Sequence, residues 1–214
     1  VETRAIPDTR LAEIITAVGR AVQRGERAFW VCPRVDAEAE EDSSAVARAA
    51  MLSETLKTKV GLVHGRMAGA EKDAALDAFR SGATQILVAT TVIEVGVDVP
   101  AATIMVIERA EGFGLAQLHQ LRGRVGRGDR ASFCLLLYRA PLTETARERL
   151  DTLRRTEDGF EIAEADFKLR GAGDLLGKAQ SGAINFRLIE FPAHSDLIEI
   201  ARKDAQVAAN RADE

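Results

Sequence analysis

Residues 85–108 read QILVATTVIEVGVDVPAATIMVIE. The flanking runs, QILVAT (85–90) and TIMVIE (103–108), are short and apolar at successive positions. Each reads as a strand buried on both faces. Such strands belong to parallel sheets covered by helices on both sides. The first run ends on Thr90, and the segment between them carries Thr91, Gly96 and Asp98. Ligands of parallel sheets collect where strands end, at their carboxyl edge. Threonine hydroxyls and amides can donate to a phosphate there, Gly96 allows close backbone approach, and Asp98 can accept from a sugar hydroxyl. Taken alone, the pattern is also that of a common loop.

The chain on either side supports the same layout. Residues 8–24 place Leu11, Ile14, Ile15, Val18 and Val22 on one helical face, with Asp8 as a cap and Gly25 as a stop. AFWVC (28–32) is a buried strand, the acidic DAEAEEDSS (36–44) a loop, and 44–57 a helix. VGLVHG (60–65) is another strand, followed by a helix over AEKDAALDAFRSG (70–82) with a glycine stop. LAQLHQL (115–121) opens a further helix, and ASFCLLLY (131–138) is the last strong strand. The expected fold is α/β, a parallel sheet flanked by helices, over residues 1–140. Residues 141–214 follow a different pattern. Leu142, Ala146, Leu150 and Leu153 repeat at helical spacing, EDGF (157–160) makes a turn, and IAEADFKLR (162–170) forms a second helix. A helical hairpin is expected, then an irregular glycine-rich loop over GAGDLLGKAQSG (171–182) and a helix near 195–209.

Bulk composition sets limits. With 46% hydrophobic residues among 214, the chain has enough apolar material for a core, which excludes disorder throughout. A net charge of -4 argues against a nucleic-acid coat protein but permits a local basic groove. The two cysteines, Cys32 and Cys134, lie in apolar runs and read as core thiols of a reducing, cytoplasmic compartment. No Cys/His spacing suggests a metal, no apolar stretch is long enough to span a membrane, and no signal peptide opens the chain. The first residue is Val rather than Met, which suggests a piece of something longer.

Two further motifs carry chemistry. QLHQLRGRVGRG (117–128) spaces Gln120, Arg124 and Arg127 at i, i+4 and i+7, so a continuing helix would aim them one way. Gly123 and Gly126 interrupt that helix at about 1 kcal/mol each relative to alanine. Arginine forks suit phosphate oxygens. The plain alternative is a solvated basic turn. In VGLVHGRM (60–67), Arg66 follows a strand end and can meet a phosphate. His64 beside it reads as a packing or surface residue.

In this order, LVHGRM, ATTVIEVGVDVP and QLRGRVGR resemble the motifs of the second motor lobe of superfamily 2 helicases. DGFEIAEADFKLRGAGDLLGKAQSG (158–182) resembles the translocation motif shared by the RecG and Mfd families. HGRM, and His119 where Mfd carries a tyrosine, resemble the RecG form. The resemblance implies ATP hydrolysis between two RecA-like lobes and remodelling of branched duplex DNA. An Mfd-type transcription-coupled translocase and an isolated binding module are the alternatives. It implies that Arg124 and Arg127 reach the γ-phosphate, that Gln120 couples nucleotide state to closure, and that Gly96 and Asp98 line the nucleotide site. Arg66, Thr90 and Thr91 are implied to grip DNA. Arg149, Arg170 and Gln180 are implied to form the translocation network. No GxxxxGK[ST] and no Asp-Glu box occur, so ATP and Mg2+ are expected to be held mainly by a first lobe. The implied partners are branched DNA and the motor lobe and wedge domain of the same protein, working as a monomer.

Overall fold

A computed structural model describes residues 1–33, 38–90, 99–128 and 130–174. The chain divides into two compact units, Val1–Asp166 and Phe167–Glu214. The first holds the sheet; of the second, only the end of one helix is described.

Six strands form the sheet: β1 (Glu2–Pro7), β2 (Arg27–Val31), β3 (Val60–Val63), β4 (Ile86–Ala89), β5 (Ala102–Ile107) and β6 (Phe133–Tyr138). Their order is β1-β6-β5-β2-β4-β3, and every pairing is parallel. Helices α1 (Leu11–Gln23), α2 (Glu38–Leu56), α3 (Gly69–Ser81), α4 (Leu115–Arg122) and α5 (Glu144–Arg155) accompany it, and α6 (Gly159–Asp174) follows. Every residue of β4 and β5 is buried, as continuous apolar runs require. Trp30, Val88 and Val106 pack with Ile14, Val18 and Val22 of α1 and Ala45, Ala49 and Leu52 of α2. From α3, Phe79 meets Phe29 with ring centroids 4.8 Å apart. The expected parallel α/β sheet with flanking helices is the one observed.

The details differ in four places. Glu2–Pro7 is a strand that the polar sequence ETRAIP does not announce. It pairs with β6 alone, and an edge position leaves charged side chains in water. Asp8 makes no side-chain cap; it begins a single 3-10 turn, Asp8–Arg10, ahead of α1. Helix α2 starts at Glu38, inside the segment expected to be a loop, because its alanines and glutamates are strong helix formers. Helix α6 runs to Asp174, so the first four residues of the expected glycine loop are helical. The rest of that loop and the helix expected near 195–209 lie outside the described residues.

Two glycine stops act as expected. Gly25 and Gly82 adopt φ of 85° and 84°, the left-handed conformation that ends α1 and α3.

Candidate functional site

Helix α4 is the scaffold of the arginine motif. Leu115, Leu118 and Leu121 are fully buried and fix its roll, which leaves Gln120 exposed. The helix ends at Arg122, with Gly123 as its C-cap. Gly126 then takes φ of 80°, which no continuing helix permits. Gln120, Arg124 and Arg127 therefore do not share one helical face. Gln120 sits on the last turn, while Arg124 and Arg127 lie on the loop beyond it. Arg124 is half-buried, and exposed Arg127 donates Nε to the Gly123 carbonyl at 3.0 Å.

This loop does not occupy the carboxyl edge, where ligands of parallel sheets usually gather and where this motif is also expected. A Cβ on Gly126 would stand 2.4 Å from Val1 Cγ2, and one on Gly128 would stand 3.2 Å from the Pro100 carbonyl oxygen. Val1 leads into β1 and Pro100 into β5, so the arginine loop lies at the amino ends of the strands. The carboxyl-edge rule fails here because α4 runs back across the sheet before β6 begins. Buried Val99 leads into β5 at this same edge. Thr91, Gly96 and Asp98 themselves lie outside the described residues.

Arg66 and Thr90 occupy the opposite, carboxyl edge. They follow neighbouring strands β3 and β4, and the Thr90 amide donates to the Val63 carbonyl at 3.2 Å. Arg66 is exposed, whereas Thr90 is only 1% exposed. Also at this edge, Glu108 accepts from the Trp30 indole at 2.5 Å and from Arg48 Nη2 at 2.8 Å. The two candidate groups thus sit at opposite edges of the same sheet, on different strands.

Helix α5 packs beside α4 and β1. Thr143 caps it by accepting from the Ala146 amide at 3.2 Å. Arg149 donates Nη1 to the Phe113 carbonyl at 2.7 Å, just ahead of α4. Its expected partners cannot be followed, since the Arg170 side chain and Gln180 lie outside the described residues. A second arginine, absent from the sequence reading, does more. Arg122 is 3% exposed and donates Nη1 to the carbonyls of Leu153 (2.7 Å) and Thr156 (2.9 Å). Its Nη2 stands 2.9 Å from His119 Nδ1. The available signal was its place on the apolar stripe of Leu115, Leu118 and Leu121, where an arginine needs internal acceptors. Burial first, then the Arg122 guanidinium, holds the His119 ring below its ordinary titration range. Among the described residues, no group of His, Cys, Asp or Glu is placed to hold a metal, and no helix is long and apolar enough to cross a membrane.

The fold and its arginine loop match known proteins. The profile of the helicase conserved C-terminal domain fits residues 9–129, and that of ATP-dependent DNA helicase RecG, domain 3, C-terminal, fits residues 156–214. RecG of Acidithiobacillus ferridurans is 53% identical over 190 residues, which is 88% of this chain and 28% of the relative. RecG of Escherichia coli strain K12 is 52% identical over 193 residues, 89% of this chain and 28% of the relative. A RecG solved bound to a three-way DNA junction superposes with a TM-score of 0.70 at 46% identity, over 81% of this chain and 23% of that one. The second domain of the DEAD-box helicase Mss116p shares the fold, with a TM-score of 0.56 at 14% identity. The chain belongs to the helicase conserved C-terminal domain family. The two curated relatives above are RecG helicases, and the chain spans under a third of their length.

Proposed function

We propose that this chain is the second motor lobe (residues 1–140) and translocation element (141–214) of an ATP-driven, cytoplasmic, monomeric enzyme that remodels branched duplex DNA. Its substrates are stalled forks, Holliday junctions and R-loops. The observation that carries the reading is the arginine loop at the amino edge of a RecG-like lobe. Two guanidiniums that only donate and never lose their charge form a donor set suited to a triphosphate. The residues present fit part of such a site: Arg124 and Arg127 for the γ-phosphate, Gly96 and Asp98 for the nucleoside side. ATP supplies the free energy when bound, with Mg2+, mainly to the first lobe. Gln120 links that edge to lobe closure.

Arg66, Thr90 and Thr91 serve the other edge. Contacts there to the phosphate backbone would be independent of sequence and weakened by salt. The 1% exposure of Thr90 favours a role in shaping that edge, with Arg66 as the exposed cation. Arg149, Arg170 and Gln180 carry lobe movement to the segment that pushes on duplex DNA. The helicase solved on a three-way junction supports branched DNA as the substrate class.

The test is Arg127→Ala in the full-length protein. ATP turnover at saturating DNA should fall about 10³-fold or more, with DNA affinity retained. Turnover at the wild-type level would remove Arg127 from the chemistry.

A further inference from the structure

Arg122 is buried within a motif otherwise devoted to exposed or half-buried polar groups, and its three partners lie on α4 and at the end of α5. Leu153 and Thr156 lie at the end of α5, where the last carbonyls of a helix have no partners of their own. One guanidinium nitrogen satisfies both, at 2.7 and 2.9 Å, and its charge sits at the negative end of the α5 dipole. Thr156 also opens the turn that leads to α6, which starts at Gly159. His119, one helical turn before Arg122 on α4, closes the cluster. Its Nδ1 meets Arg122, and its Nε2 stands 3.5 Å from where a Cβ of Gly159 would be. The last turn of α4 therefore touches both sides of the α5–α6 turn. The next residues along the chain are the loop that carries Arg124 and Arg127.

We infer that Arg122 and His119 form a clasp that transmits displacement of the arginine loop to the α5–α6 turn, making Arg122 a positioning residue for translocation and His119 its pH-sensitive latch. The inference rests on the motor reading above. A loop that shifts when phosphate is engaged pulls on Arg122, which is held by backbone carbonyls and cannot slip as a side-chain contact would. Arginine donates only, so His119 Nδ1 must be the acceptor, and the ring is neutral with its proton on Nε2. Protonating the ring destroys that acceptor and sets two cations side by side.

The other groups near the ring act in known directions. Glu157, on the turn, favours a proton on His119 and is itself paired with the Val1 amine at 2.7 Å. Cys134 on β6, near Arg122, has a thiol pushed up to about 12, chiefly by burial, and stays neutral. Burial and Arg122 outweigh Glu157, so the latch is closed at neutral pH and opens as pH falls below the ordinary histidine range.

The experiment measures DNA-stimulated ATP turnover and junction unwinding on the same preparations of full-length protein. R122K keeps the charge but loses the fork. Its turnover should stay within about twofold of wild type, while ATP consumed per junction rises about tenfold. H119Q keeps an acceptor that cannot titrate. Its ATP per junction should match wild type at about pH 7.5 and stay flat at about pH 5.8, where the wild-type value rises. Parallel loss of turnover and unwinding in R122K, or no change in either, overturns the clasp; so does an H119Q profile that follows wild type into acid. Should R122K fail to fold, H119A decides: its ATP per junction must rise with turnover preserved, and any other result counts against the clasp. Wild-type protein without DNA-dependent turnover would overturn the motor reading first, before any variant is compared.

Discussion

Gly82 and Gly126 hold nearly the same backbone conformation, with φ of 84° and 80°, for different ends. Gly82 closes α3, and a Cβ there would meet the Arg27 guanidinium at 2.7 Å. That guanidinium donates to the carbonyls of Phe79 and Arg80. Gly126 turns the chain between Arg124 and Arg127. A non-glycine residue in this region costs about 1 kcal/mol or more. Gly82→Ala and Gly126→Ala should both lower the denaturant midpoint, but only Gly126→Ala should also cut ATP turnover of the full-length protein, by about 10²-fold through misplacement of the arginines. Equal turnover in the two variants would detach the loop geometry from catalysis.

At this scale the sequence is uneven in what it reveals. A glycine stop announced the Gly82 turn, because the left-handed conformation has few other occupants, whereas the helical spacing of Gln120, Arg124 and Arg127 concealed the turn at Gly126. The role of Arg122 was hidden, because the acceptors of a buried cation are backbone carbonyls 31 and 34 residues away that no side-chain pattern records.

Elements were legible in proportion to their burial. The runs of β2, β4 and β5 are buried nearly throughout, and an unbroken apolar stretch of that length has few alternatives to a central strand. β1 escaped because an edge strand is specified by its partner β6 more than by its own residues. The start of α2 escaped because an acidic segment reads equally as solvated loop or helix.

One inter-element contact gives a direct test of the carboxyl edge. Glu108, at the end of β5, joins Trp30 of β2 to Arg48 of α2, whose Nε lies 2.5 Å from Oε1. The pair is largely buried, with side-chain exposures of 21% and 15%. Removing one partner from such a pair leaves a charge without its counterpart. Glu108→Ala should therefore cost about 3 kcal/mol, seen as a lower denaturant midpoint. Trp30 is the chain's sole tryptophan, so its emission should shift in the folded variant. A change below about 0.5 kcal/mol would place the pair with surface ion pairs instead.

At the scale of the whole molecule, the proposed reading is that of half an active site. The chain has neither the phosphate loop nor the Asp-Glu box, and it matches about 28% of its RecG relatives. Expressed alone, it should show no DNA-stimulated ATP hydrolysis. Turnover above background, abolished by Arg127→Ala, would mean that the half-site reading is wrong. The motif order made the family legible. The ends of the sheet did not follow from it, because a rule about carboxyl edges says nothing of a helix that carries its motif back to the start of the strands.

That layout constrains how the lobe can move. Arg124 and Arg127 sit at one pole of the sheet and Arg66 and Thr90 at the other, with the strands β4 and β5 buried along their whole length between them. Close-packed material of this kind transmits strain with little give. Under the proposed motor reading, a push at one pole turns the slab bodily, and the displacement at the far pole scales with the angle turned.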